Sequence, residues 1–209
     1  MTAILKVDTI QDTAGNNIIN ESSDTITIGA SGDTTNIVGT LQNNGSALNF
    51  ATVNGITEAD NWRLTANTNA GTDGFVTANW ERSDSNGYTK IGTGLSESSG
   101  VFSFAITGIY LITYHGQFVI EGSDVQGVLS LNTTLNNSSY TDVCHAIVGN
   151  GSGTDGIRGS ASNAFIFDVT NTTNCKFKFE TESMNAATAL VGNTSHSFTS
   201  FTTVRLGDT

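Results

Sequence analysis

Three kinds of residue in this chain could do chemistry: a glycine-rich run, three histidines and a scatter of carboxylates. Gly151-Ser152-Gly153-Thr154-Asp155-Gly156 matches G-x-G-x-x-G. A dinucleotide site needs a helix opening at the end of that run, whose N-terminus holds the pyrophosphate. Ile157-Arg158-Gly159-Ser160 follows instead and does not read as a helix, so the run is expected to be a polar loop. His115, His145 and His196 each lie in or beside a strand-like segment, and no acid–His spacing among them marks a catalytic base or ligand set. Asp33, Asp73, Asp84, Asp124 and Asp155 fall in turns, so no carboxylate pair of the glycosidase kind can be nominated. The expectation is therefore no catalytic residue, no cofactor and no metal. Cys144 and Cys175 both sit in strand-like segments, and a disulfide between them is left open. Asn-x-Ser/Thr sequons at Asn20, Asn44, Asn132, Asn171 and Asn193 follow from a chain rich in Asn, Ser and Thr.

The elements that must position any site are strands. Charged residues make up only 13% of the chain, and polarity comes instead from Asn, Thr, Ser and Gly, all poor helix formers. Proline is absent, so the turns fall to Asn and to 23 glycines. Eight basic residues against 19 acidic ones give a net charge of −11. Nucleic-acid binding needs clustered cations, and here only Lys176 and Lys178 are close together, as expected for one solvated strand face. Anionic membranes are disfavoured on the same ground. No stretch has the length of a transmembrane helix, and Met1 opens a polar segment without a secretory core, which suggests assembly inside a cell and release by lysis.

Along the chain, residues 1–50 hold short apolar pairs between polar turns, such as Ile4-Leu5, Ile18-Ile19 and Thr25-Ile26-Thr27-Ile28. Strands this short bury too little apolar area to offset their ordering entropy alone, so several chains are expected to wrap together in a β-stalk. Residues 51–70 read as a junction, in which Thr57-Glu58-Ala59-Asp60 could cap a turn or two of helix. Residues 71–209 show strand signals at regular spacing. Phe102, Phe104 and Ile106 alternate on one face, as do Tyr110, Ile112, Tyr114, Phe118 and Ile120. The second run is also apolar on its other face, which suits a central strand or one lying against another subunit. Further strands are expected at 125–132, 140–148, 164–170, 175–181 and 198–206, with Gly74–Arg82 and Tyr88–Ile91. The total is eight to ten, the size of a jelly roll. The fold class is all-β: a short N-terminal trimeric β-stalk, then a jelly-roll β-sandwich head.

Two stretches resemble known families. Ile4 to Gln11, Ile-Leu-Lys-Val-Asp-Thr-Ile-Gln, resembles the opening phrase of structural proteins of marine bacteriophages, and Ile28 to Leu41 is similar to repeats in trimeric phage-fibre stalks. The head resembles the tumour-necrosis-factor and complement-globular-head superfamily. The likeness is carried by Val101-Phe102 with Gly108-Ile109-Tyr110 and Tyr114-His115, by Phe165 to Val169 before Cys175 to Phe179, and by the closing Phe198 to Thr202. No counterpart of that family's calcium ligands is evident.

What the resemblance implies is a homotrimer with Tyr110 and Tyr114 near the subunit contacts. It further implies a non-enzymatic virion protein, a short fibre or surface appendage of tail or head, assembled in the host cytoplasm. Residues 1–50 would dock on other virion proteins, and the head would face a host surface glycan or protein, with no nucleic-acid or membrane partner. Candidate ligand contacts lie in the polar loops around 132–139 and 149–160, namely Asn132, Asn136, Asn150, Asp155 and Arg158. A capsid-decorating cement protein is the alternative, and a glycan depolymerase a lesser one.

Overall fold

A computed structural model describes residues 9–11, 13–14, 17–22, 25–28, 32, 34–35, 42–43, 46–47, 55–68, 70–84, 87–149, 156–184 and 187–209. The chain divides into two compact units, 1–53 and 54–209. In the first, β1 (Thr9–Gln11), β2 (Asn17–Ser22) and β3 (Thr25–Ile28) form an antiparallel meander, and β4 (Gln42–Asn43) pairs with β5 (Ser46–Ala47). Ile10 and Ile28 are exposed there. The opening phrase up to Asp8 and the Asn36–Leu41 run lie outside the described residues.

The second unit is a sandwich of two antiparallel sheets. One carries β14 (Ile157–Val169), β11 (Gly108–Ile120), β17 (Ser200–Gly207), β6 (Ala59–Leu64) and β8 (Trp80–Arg82) in that order, with β16 (Ala189–Leu190) also on β11. The other carries β13 (Thr141–Gly149), β12 (Gln126–Thr134), β15 (Lys176–Glu182), β10 (Val101–Ser103) and β9 (Ser96–Ser98), with β7 (Gly74–Phe75) also on β15. Among the described residues there is no helix, and none long and apolar enough to cross a membrane.

Period-2 patterning explains the packing. In β11 the even-numbered residues from Gly108 to Ile120 are buried, while the odd ones face outward and are half-buried or exposed. The expected central position of this strand is what the structure has, between β14 and β17. Inward-facing aromatics from both sheets meet at Phe102, which is fully buried. Its ring stacks on its cross-strand partner Phe177 at 5.1 Å and meets Phe201 of the facing sheet edge-on at 4.6 Å. Trp62 and Trp80 close on it from 5.4 and 5.6 Å, both edge-to-face. Such pairs add to burial because a positive ring edge meets a negative ring face.

Three expectations change. Residues 57–60 form no helix: Ala59 opens β6, which pairs with β17 in register from Val204↔Ala59 to Ser200↔Arg63. The segment expected as a junction thus contributes a strand to the sandwich. Tyr88–Ile91 forms no strand beyond a bridge from Ile91 to Ala59, and Ile106 turns out to solvent at 40% exposure.

Phe102→Ala removes the ring on which both sheets converge and is expected to lower unfolding free energy by about 3–5 kcal/mol. The shift of the urea midpoint, with the slope compared between variants, measures it.

Candidate functional site

Inward positions are filled by the core, so function falls to the outward faces, the sheet edges and the loops. Tyr110 and Tyr114, expected at subunit contacts, point inward. Tyr110 is 2% exposed, packs on Phe104 at 4.5 Å and donates its hydroxyl hydrogen to the Ile106 carbonyl at 3.0 Å. Tyr114 is 1% exposed, packs on Phe179 at 5.4 Å and donates to the Cys144 carbonyl at 2.6 Å. Burial pushes the Tyr110 phenol up to about 12 and raises that of Tyr114 further. Neither ring offers surface to another copy: both are even-numbered residues of β11, and the outward face belongs to the odd ones.

That outward face is ordered in cross-strand rows. Ile166, Leu111, Val204 and Ala59 lie side by side across β14, β11, β17 and β6. The next row holds Ala164, Thr113, Thr202 and Asn61, and the third Ser162, His115, Ser200 and Arg63. Ile166 is 60% exposed, and the first two rows carry no charge. In the third row His115 Nδ1 and the Ser162 hydroxyl are 2.8 Å apart. Arg63 is buried there by its ion pairs to Glu81 at 2.7 Å and to Asp84. The sequence signal for this face was the double-sided apolarity of β11; what it lacked was the identity of the neighbouring strands.

The outward face of the second sheet is polar. Lys178 Nζ sits 3.2 Å from the centroid of Phe75 and 4.0 Å from that of Tyr140, and its desolvation lowers the ammonium pKa against the pull of Glu180. Beside Tyr140 runs a surface groove of about 540 Å³ bordered by Glu97, Ser103, Asn137 and Lys176. On the other flank Asp142, His145 and Glu182 bring ligand atoms within 4.8 Å of one another. The expectation that no acid–histidine set exists therefore changes at this point. His145 Nε2 contacts Asp142 Oδ2 and lies 3.9 Å from Glu182 Oε1.

The loop candidates divide. Asn132 is not in a loop: it is 4% exposed on β12, where its Nδ2 donates to Glu180 Oε2 at 3.2 Å. Asn136 is in an exposed loop, but its Oδ1 accepts from the Ser138 and Ser139 amides at 3.0 and 2.9 Å and so closes the turn. Arg158 is exposed on β14 opposite Val119. Asn150 and Asp155 lie outside the described residues. Of the described candidates, Asn132 and Asn136 lie on and just after β12, and Arg158 stands on β14 of the other sheet. Cys144 and Cys175 are both free.

A buried carboxylate anchors one end of the first sheet. Asp60 is 3% exposed and accepts hydrogen bonds from Arg82 Nε and Nη2, Tyr88 Oη, Trp62 Nε1 and the Leu95 amide, all between 2.6 and 3.1 Å. Glu58 receives the Thr93 and Gly94 amides at 3.0 and 2.7 Å. Gly94 adopts a positive φ of 74°, and a Cβ there would come within 2.6 Å of Asp60 Oδ2, so only glycine fits. Burial alone would raise the Asp60 pKa, but its donors, Arg82 first, outweigh that and hold it below the ordinary 3.8. A carboxyl depressed on folding stabilises the protein above its unfolded pKa and stops doing so as pH falls through the folded one. Asp60→Asn should cost about 3 kcal/mol near neutrality, the low end for a broken buried pair because Arg82 keeps some solvent. The variant should also lose less stability than the native chain on acidification from pH 5 toward pH 3. Urea melts across that range read both effects.

No protein-family model matches this sequence, and no curated protein matches it. Among solved structures, the Eiger TNF of S. frugiperda is similar with a TM-score of 0.56 at 12% identity, covering 72% of this chain and 93% of Eiger. Murine APRIL at pH 5.0 is similar with a TM-score of 0.52 at 16% identity, and at pH 8.5 with 0.50 at 13%; each covers 71% of this chain and 98% of APRIL. At these identities the likeness is one of fold: the sandwich of this chain is a jelly roll of the tumour-necrosis-factor type.

Proposed function

We propose that this chain is a non-enzymatic structural protein of a phage virion that works as a homotrimer, with residues 1–50 in a shared stalk docked on tail or capsid and the jelly-roll head outward. The observation that carries the assembly is the apolar row Ile166, Leu111, Val204 and Ala59 on the outward face, exposed at Ile166 and half-buried at the other three in the single chain. Apolar rows on an open sheet face favour association, since burying them releases ordered water. The occupant is a second copy of this chain. The adjoining edge supports that choice: β13 and β14 are the outermost strands of their two sheets, and Ile147 and Ile157 are exposed on them. Exposed Ile10 and Ile28 in the first unit fit strands that complete their core between chains. The virion setting rests on the resemblance of Ile4–Gln11 and Ile28–Leu41 to phage structural proteins.

Whether the head binds a host or stabilises the particle divides the reading in two. A binding head on a trimeric stalk gains avidity from multivalency. The decorating reading gains from the internal commitments of Asn132 and Asn136, which take two proposed ligand contacts out of play. Adhesion of purified protein to host cells supports the first. Increased heat resistance of capsids without adhesion supports the second.

For assembly, light scattering of the full chain at micromolar concentration should give three chain masses. Leu111→Asp should shift it toward one chain mass while the near-ultraviolet circular dichroism of the head is kept. A monomeric native chain, or a Leu111→Asp trimer as stable as the native one, overturns the assignment of this face.

A further inference from the structure

The polar flank of the second sheet contains a cluster that no other part of the molecule explains. In a regular strand, residues three apart point to opposite faces, so Asp142 and His145 should not meet. They meet because β13 is bulged. Leu131 pairs with Cys144, yet the next residue, Asn132, pairs with Asp142, which leaves Val143 as an extra residue. A bulge re-aims the side chains beyond it, and here it turns both groups to the same outward face. Glu182 arrives from β15, two strands away across β12. The three donor atoms lie within 4.8 Å of one another.

The carboxylate from β15 is held in place. Fully buried Ser130, directly opposite His145 on β12, donates its hydroxyl hydrogen to Glu182 Oε1 at 2.6 Å. Glu180 stands on the same face and is fixed by Asn132 Nδ2 at 3.2 Å. The neighbourhood therefore gathers three carboxylates, and its nearest cation, Lys178, is committed to the rings of Phe75 and Tyr140. Negative charge is in excess, and one donor is an imidazole.

We propose that Asp142, His145 and Glu182 form a surface site for a divalent transition metal of the zinc type, with water in the remaining coordination positions. Zinc takes imidazole nitrogen and carboxylate oxygen at roughly 2.0–2.2 Å, which sets tetrahedral donors roughly 3.3–3.6 Å apart. Glu182 Oε1 at 3.9 Å from His145 Nε2 has little distance to close, and the His145–Asp142 contact opens to admit the ion. Calcium and magnesium are the poorer match, because they prefer all-oxygen shells of higher coordination number. Ser130 serves as the group that orients a ligand, the role outer-shell partners play around most metals. The bound ion joins β13 to β15 across β12 and pins the bulged outermost strand. Asp142 and His145 share β13 with Ile147, which the trimer reading uses at its edge. The face of Leu111 holds none of the three ligands, so Leu111→Asp tests assembly without touching this site.

Calorimetric titration of the metal-free full chain with zinc chloride at pH 7.5 tests it. One ion per chain is expected, together with a rise in melting temperature. His145→Gln and Glu182→Gln should each weaken binding by roughly ten-fold or more, and Ser130→Ala by roughly ten-fold, the scale for removing a group that orients a ligand. The ligand side chains are partly exposed, so their variants should keep the native circular dichroism. Cobalt(II) supplies a second readout, a visible absorption band that His145→Gln abolishes. Absence of zinc uptake by the native chain overturns the proposal. So does uptake undiminished in both ligand variants, or an equal response to magnesium, either of which marks a diffuse acidic surface.

Discussion

Two antiparallel sheets stay together only if each buries a continuous apolar face against the other, and in this protein that requirement is met by aromatic rings. Phe102, Phe177 and Phe179 come from one sheet, and Trp62, Trp80 and Phe201 from the other. Across the layers Phe102 meets Trp62, Trp80 and Phe201 edge-on, while Phe179 meets Trp80 and Phe201 at tilted angles. Everything else is placed by that choice. Each strand crossing the aromatic centre must send alternate residues inward, so its remaining residues are the molecule's working surface. The tyrosines of β11 belong to the first set, and Leu111 and His115 to the second.

Strand identity was legible where one local signal sufficed. The even-numbered residues of β11 read as sharing one face, as do Phe177 and Phe179. Apolar Ile109, Leu111 and Val119 on the odd face leave open which side turns inward, and the sequence reading assigns Tyr110 and Tyr114 to subunit contacts. Misreadings arose where a residue's partner is distant in sequence. Glu58 and Asp60 looked like acids favouring the first turn of a helix. In the structure they accept backbone amides some 35 residues away, at Thr93, Gly94 and Leu95. Asn132 reads as the boundary between the strand 125–132 and the polar loop 132–139; β12 runs on to Thr134, and the buried Asn132 amide is satisfied by Glu180, 48 positions on. The Asp142–His145 pairing was hidden for a different reason. A bulge breaks the period-2 rule that made the pair look unrelated, and nothing local to the sequence announces a bulge.

The two outward faces of the sandwich differ in character. One is uncharged across the rows of Leu111 and Thr113, with Asn61 Nδ2 bonded within the face to the Thr202 hydroxyl. The other carries carboxylates, a histidine and a lysine held between two rings. A sandwich can keep such faces independent because the core insulates them: a change on one side alters side chains that point away from the other. That separation lets one surface be shaped for contact with identical copies while the opposite one varies in chemistry.

The two cysteines carry a last consequence. Cys175 is buried at 1% exposure beside Thr170, Cys144 lies half-buried near the Ala164 carbonyl, and no covalent link joins them. The sandwich is held by rings, ladders and the Asp60 network, none of which exchanges electrons with its surroundings. Reducing conditions therefore break none of these bonds, and the sandwich does not depend on an oxidised cysteine pair.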